Sequence, residues 1–183
     1  MRLGPADARS ILAATLATIT AFLVACGGGE RSGDEMADRQ AELAQRPSSE
    51  DIAARYEEMS QRIVERLSAE LGGIQFAKRD DGRSVECGGD FSDLGGEVRY
   101  LDRWLAQGTI PESQWDQAAM IVAEMTSEYG FGEPNVIVDR QGDHQITGLD
   151  PYAASYRFGT AANTLLSVTT GCHPPSDQTP VSP

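Results

Sequence analysis

Five side chains in this sequence carry the chemistry that catalysis or metal binding most often uses: Cys26, Cys87 and Cys172, and His144 and His173. Imidazole titrates near neutral pH and is the commonest general acid or base. Asp139, Asp143 and Asp150 lie near His144 in the chain, so a site of two histidines and one carboxylate is conceivable. Against it, His144 falls at the edge of a turn, and His173 directly follows Cys172, which competes for the same space. The expectation is therefore no metal and no cofactor. The recurrent catalytic patterns are missing too. There is no Gly-x-Ser-x-Gly elbow and no His-Glu-x-x-His helix. The glycine-rich stretches lack the strand and helix that flank a dinucleotide loop. No catalytic residue is assigned. An enzyme built on this inventory would need a buried, perturbed carboxylate or a histidine in a cleft.

Of the segments that place these side chains, the first is the run from Ile11 to Ala25, 15 apolar or small residues long. That is the length of a signal-peptide core and short of the roughly 20 residues that span a bilayer. Arg2 and Arg9 make its start positive, diluted by Asp7. Leu23-Val24-Ala25-Cys26 closes it and resembles the lipobox of bacterial lipoproteins. The resemblance implies a diacylglyceryl thioether on Cys26, cleavage before it, and often acylation of the new amino group. Small side chains before the cysteine admit a protease, and a thiol is a strong nucleophile for the lipid transfer. At about 0.8 kcal/mol per buried methylene, two or three acyl chains hold a protein stably at a membrane.

With Cys26 lipidated, Cys87 and Cys172 remain, and an exported compartment allows them to pair. The loop so closed is 85 residues, worth on the order of 4–5 kcal/mol in the chain-entropy account. Two free thiols or a shared metal are the rivals. Metal is the weaker, since neither cysteine stands in a Cys-x-x-Cys pair. Removing residues 1–25 takes away two arginines and one aspartate, leaving 13 basic and 27 acidic side chains. A net charge of −14 argues against nucleic acid and against adsorption to anionic lipid.

The domain itself reads as α+β. Residues 27–47 look like a flexible tether of 21 residues, spanning roughly 25 Å. Residues 34–46 have helical content but little to bury. From Ser48 to Leu71, Ile52, Tyr56, Met59, Ile63, Leu67 and Leu71 recur every three or four residues, the stripe of an amphipathic helix. Ser48 or Ser49 can cap it, Gly72-Gly73 ends it, and Glu58 and Arg62 can pair on its wet face. A second helix runs from Pro111 to Tyr129, with Thr109 and Glu112 at capping-box spacing. Short strands are expected over 74–78, 136–140, 144–147, 155–158 and 164–169. Residues 97–105 fit a strand or a helix, with strand favoured. In Ser155-Tyr156-Arg157-Phe158 the alternation puts Tyr156 and Phe158 on one face and Arg157 on the other. Trp104, Trp115, Tyr129 and Phe131 are expected in the core, with a pocket lining as the alternative.

Five short motifs in order make the pattern specific: Ile110-Pro-x-x-x-Trp115, Glu128-Tyr-Gly-Phe-Gly132, Val138-Asp-Arg-x-Gly-Asp-His144, Phe158-Gly-Thr-x-x-Asn163 and Thr170-Gly-Cys-His-x-Pro175. The series resembles the LppA-like lipoproteins of mycobacteria and related actinobacteria over about residues 50–175. The resemblance implies a cell-envelope lipoprotein on the outer face of the cell membrane, and brings no catalytic or binding residue with it. The chain thus divides into a signal peptide (1–25), a lipidated Cys26 with tether (26–47), a domain (48–173) and a disordered Pro/Ser tail (174–183). The domain should pack two main helices on one face of an antiparallel sheet of four to six strands, with one disulfide. Its expected role is non-enzymatic: binding or scaffolding in the envelope, with an envelope protein or hydrophobic ligand as partner. A carrier of a small hydrophobic ligand or lipid, and an enzyme with an unrecognised carboxylate or histidine site, are the alternatives.

Overall fold

A computed structural model describes residues 30–176. Cys26 and the tail beyond Ser176 lie outside these described residues. Three helices, α1 (Glu30–Ala44), α2 (Ser49–Leu71) and α3 (Glu112–Ser127), accompany eight strands. The strands are β1 (Phe76–Arg79), β2 (Arg83–Glu86), β3 (Glu97–Tyr100), β4 (Arg103–Gln107), β5 (Asn135–Arg140), β6 (Asp143–Leu149), β7 (Ser155–Thr160) and β8 (Asn163–Thr169). They form one antiparallel sheet in the order β1-β4-β8-β7-β6-β5, with β3 joining the far end of β8 and β2 pairing β3.

The helical stripe of α2 is buried in full, from Ile52 to Leu71. Ser48 caps that helix by accepting from the Asp51 amide, and Gly72, at φ 64°, ends it. Beside it, α3 buries Trp115, Ala118, Ile121, Val122 and Met125. Both helices lie on the sheet face made by Ile146, Tyr156, Phe158, Leu166 and Val168. Each large side chain so buried contributes about 1.5–3 kcal/mol. The alternation in β7 holds: Tyr156 and Phe158 point into the core and Arg157 into solvent. Trp115, Tyr129 and Phe131 are core residues, whereas Trp104 is half-buried beside Phe76 at an open groove along α2.

The structure departs from expectation in five places. First, the sheet has eight strands, beyond the expected four to six. β1 falls on the strand expected over 74–78; the additions are β2, four exposed residues without apolar alternation, and a second strand from the 97–105 stretch. Residues 97–105 are two strands broken at Leu101-Asp102. The break is set locally: Leu101 donates its amide to Val168, and the Asp102 carboxylate accepts the amides of Asp81 and Gly82.

Second, the segment expected as a flexible tether is helix α1 from Glu30 onward. Leu43 and Arg46 dock its end. Leu43 is 1% exposed against Cys87, Cys172 and Leu94. Arg46 just beyond donates to the Cys172 carbonyl at 2.9 Å and lies over the Phe91 ring. Third, the start of the tail is held. The Pro174 carbonyl accepts the Ser49 amide, and Ser176 bonds Glu50 through its amide and hydroxyl. Fourth, the capping box at Thr109 does not form. Pro111, whose side chain has no acceptor, occupies the cap of α3, and Glu112 reaches across to the β5–β6 turn, where it accepts the Gly142 amide. Fifth, Glu58 and Arg62 do not pair with each other. Both bond the Tyr129 hydroxyl, and Arg62 pairs with Glu128.

Candidate functional site

The two histidines sit in separate polar sites. His144, on β6, is 3% exposed. Its ring stacks on Trp115 with centroids 4.9 Å apart, and Trp115 stacks in turn on Phe158. Nδ1 lies 3.0 Å from Asp139 and Nε2 3.1 Å from Glu112. The register explains the first contact, since Asp139 is directly opposite His144 across the β5–β6 hairpin. The second follows from α3 starting at Glu112 against the same hairpin. Glu112 above all, and then Asp139, raise the imidazole pKa despite the cost of desolvation. The ring is held between two carboxylates that favour its protonated form and are themselves more than half exposed.

His173 is fully buried. Its Nδ1 donates to the Pro47 carbonyl at 2.9 Å, and its Nε2 has no partner. Burial, with Arg46 close by, pushes its pKa down, so the ring is neutral. Its backbone bonds Glu97 in both directions, and the neighbouring Cys172 is joined to Cys87 with Cα atoms 5.7 Å apart. The predicted disulfide is present.

The three aspartates weighed as metal donors go to other partners. Asp139 meets His144 and Asp143 meets Arg140. Asp150 accepts from the Tyr56 hydroxyl and from the amides of Tyr152 and Ala154. Among the described residues no group of three or more His, Cys, Asp or Glu side chains is placed to hold a metal.

A third site was not foreseen. On the sheet face away from the helices, a groove of about 570 Å³ is walled by Arg83, Arg103 and Arg157 and floored by Ser155, Ser167 and Thr169. Sheet register assembles it. One row across the strands runs Leu149, Ser155, Thr169, Tyr100, Arg83, and the adjoining row on that face holds Thr147, Arg157 and Ser167. Arg83 lies over the Tyr100 ring at 4.0 Å. Arg103 pairs with Asp81, whose carboxyl this pair holds below its ordinary value. Arg157 has no ion-pair partner among the described residues. The only sequence signal for this site was the outward position of Arg157. Arg83 lies on β2, an exposed segment without apolar alternation, and Arg103 lies on β4, which pairs β8 only past the break at Leu101-Asp102.

A family model described as LppA, a lipoprotein confined to pathogenic Mycobacterium, matches residues 28–176. The chain belongs to the LppA family. That family match takes in α1, which is part of the domain and not a linker ahead of it. The crystal structure of LppA from Mycobacterium tuberculosis is similar at a TM-score of 0.64 and 17% identity, covering 79% of this chain and 89% of that one. A DUF4853 family protein from Actinomyces odontolyticus ATCC 17982 matches at a TM-score of 0.55 and 17% identity, over 74% of each chain. At these identities the likeness is one of fold. No curated protein matches the chain. Membership in a lipoprotein family implies lipid anchoring to a membrane and association with the cell envelope. Among the described residues no helix is long and apolar enough to cross a membrane.

Proposed function

We propose that this LppA-family chain is a non-enzymatic binding module, held by lipid on Cys26 at the outer face of the cell membrane, that takes its partner on the exposed face of the sheet. The carrying observation is the groove at Arg83, Arg103 and Arg157. In a chain of net charge −13, three arginines from three strands line this one groove, with Asp81 its one acidic residue. Concave sites with a few convergent polar groups are where ligands bind. The reading of a hydrophobic-ligand carrier has less support. Such a protein keeps an apolar cavity between helices and sheet, and here that space is filled by side chains at most 8% exposed. Enzymatic chemistry also has less support. His144 has both nitrogens committed to carboxylates, and His173 is shut away from solvent.

The test is a photo-crosslinking amino acid placed at Ser167 in the groove or at Ala54 on the wet face of α2, in the anchored protein in its own envelope. Adducts are expected from position 167 and not from position 54. Equal adducts at both, or none at 167, would remove the support for a binding face on the sheet. Replacing Cys26 with Ser should abolish acyl labelling in the same cells.

A further inference from the structure

Resting on the binding-module reading, we infer that the occupant of the groove is a small, free organic anion: a phosphate- or carboxylate-bearing molecule with hydroxyl groups, about the size of one sugar. Charge speaks first. Lys and Arg make up 15 residues of this chain against 28 acidic ones, yet the groove is walled by three arginines and holds one acidic residue. Arg62, Arg66 and Arg140 pair with carboxylates, whereas Arg55, Arg79, Arg83 and Arg157 form no ion pair among the described residues, and two of these four, Arg83 and Arg157, line the groove. Arg157 lacks such a pair although Asp81 lines the same groove, because Asp81 is taken by Arg103. A guanidinium presents a planar fork of donors that matches a carboxylate or phosphate.

Geometry then restricts the ligand. Arg83 lies over the Tyr100 ring at 4.0 Å, a contact that restricts its guanidinium before a ligand arrives and lowers the entropy lost on binding. Ser155 stands opposite Thr169, and Ser167 opposite Arg157, so three hydroxyl-bearing residues neighbour Arg157 on the same face of the sheet and line the groove with it. Hydroxyls donate and accept, which suits a polyol and gives nothing to a bare apolar chain. Leu101 and Leu165 add only small apolar contacts at the sides. An acyl tail would have no continuous apolar track, which favours a soluble molecule over a lipid. At about 570 Å³ the groove falls in the range of small-molecule sites.

Isothermal titration of the full-length protein in detergent, at low salt, tests this with four probes: glucose 6-phosphate, glucuronate, inorganic phosphate and glucose. Binding of glucose 6-phosphate or glucuronate is expected, at least tenfold tighter than inorganic phosphate, with no heat from glucose. R157Q should weaken that binding at least tenfold, and R83Q severalfold. R140Q, an exposed arginine outside the groove, should leave it unchanged. Silence from both anionic sugars at millimolar concentration overturns the inference, as does equal weakening in R157Q and R140Q. If the sugars are silent while crosslinking at Ser167 still gives adducts, the binding face stands and only the ligand class falls.

Discussion

His173 and His144 are both at most 3% exposed, yet their surroundings push them in opposite directions. At His173 a neutral ring is packed against a disulfide, a backbone carbonyl and Arg46, with one nitrogen left without a partner. At His144 the ring lies on Trp115 between Glu112 and Asp139, whose carboxylates favour its cationic form. The first end is covalently closed and tightly filled. A side chain on Gly96 would press both sulfur atoms of the disulfide, and one on Gly171 would strike the Tyr152 carbonyl. The second end is held by charge, and its two carboxylates are more than half exposed. Burial alone therefore does not decide how a histidine behaves. At His173 desolvation dominates, whereas at His144 the bonds to Glu112 and Asp139 outweigh it.

The largest expected effect is at the closed end. Reducing Cys87–Cys172 releases a loop of 85 residues, a change usually worth about 2–5 kcal/mol. The melting temperature should fall on reduction, and amide protection in α1 should drop before that in α2, because Leu43 docks on the disulfide cluster. Hydrogen exchange with and without reductant measures both. An α1 that stays as protected as α2 after reduction would show that its docking does not depend on the cross-link.

Next comes pH, where the two ends should oppose each other. The folded pKa of His173 is lowered, so its contribution to stability is present above the ordinary histidine value of about 6.5 and is lost as pH falls through the folded pKa. The folded pKa of His144 is raised, so its contribution is full below about 6.5 and is lost as pH rises through the folded pKa. In the intact protein the two trends offset near neutrality. Denaturant midpoints between pH 5 and 8 separate them. His144→Phe should leave a protein that weakens on acidification, and His173→Phe one that weakens on alkalinisation. The same slope in both variants would break the comparison.

How much of this was legible from residues alone follows from what each feature depends on. The stripe of α2 and the alternation of β7 are local periodicities that appear where the spacing placed them, and α3 lies within the range expected for the second helix. The pairing of Cys87 with Cys172 was legible through elimination once Cys26 had another use. The two histidine environments were not, because each depends on register: Asp139 faces His144 only through the β5–β6 pairing, and Glu112 arrives from a separate helix. The α1 dock was hidden for a different reason. It rests on Leu43 and on Arg46, whose stem and guanidinium cover apolar surface as a hydrophobic residue would. The arginine groove needed the break at Leu101-Asp102, which lets β3 and β4 share β8.

The smallest expected effect sharpens the account of His144. Its two carboxylates are not equal. Glu112 is the leading cause of the raised pKa and also accepts the Gly142 amide, so it is anchored from two sides. Asp139 contributes less and is more exposed, at 73% against 56% for Glu112. Solvent screening weakens an exposed charge, so neither replacement should unfold the protein. Each should instead move the titration of the imidazole. Glu112→Gln should lower the His144 midpoint more than Asp139→Asn does, and the double variant should lower it furthest, with desolvation then unopposed. Ring-proton chemical shifts followed across pH 5 to 9 read this directly, with His173 as the internal reference, since neither variant touches it. If Asp139→Asn moved His144 further than Glu112→Gln, the hairpin partner and not the helix would be the main holder of the charge. The link from the start of α3 to the β5–β6 turn would then reduce to the bond from Gly142.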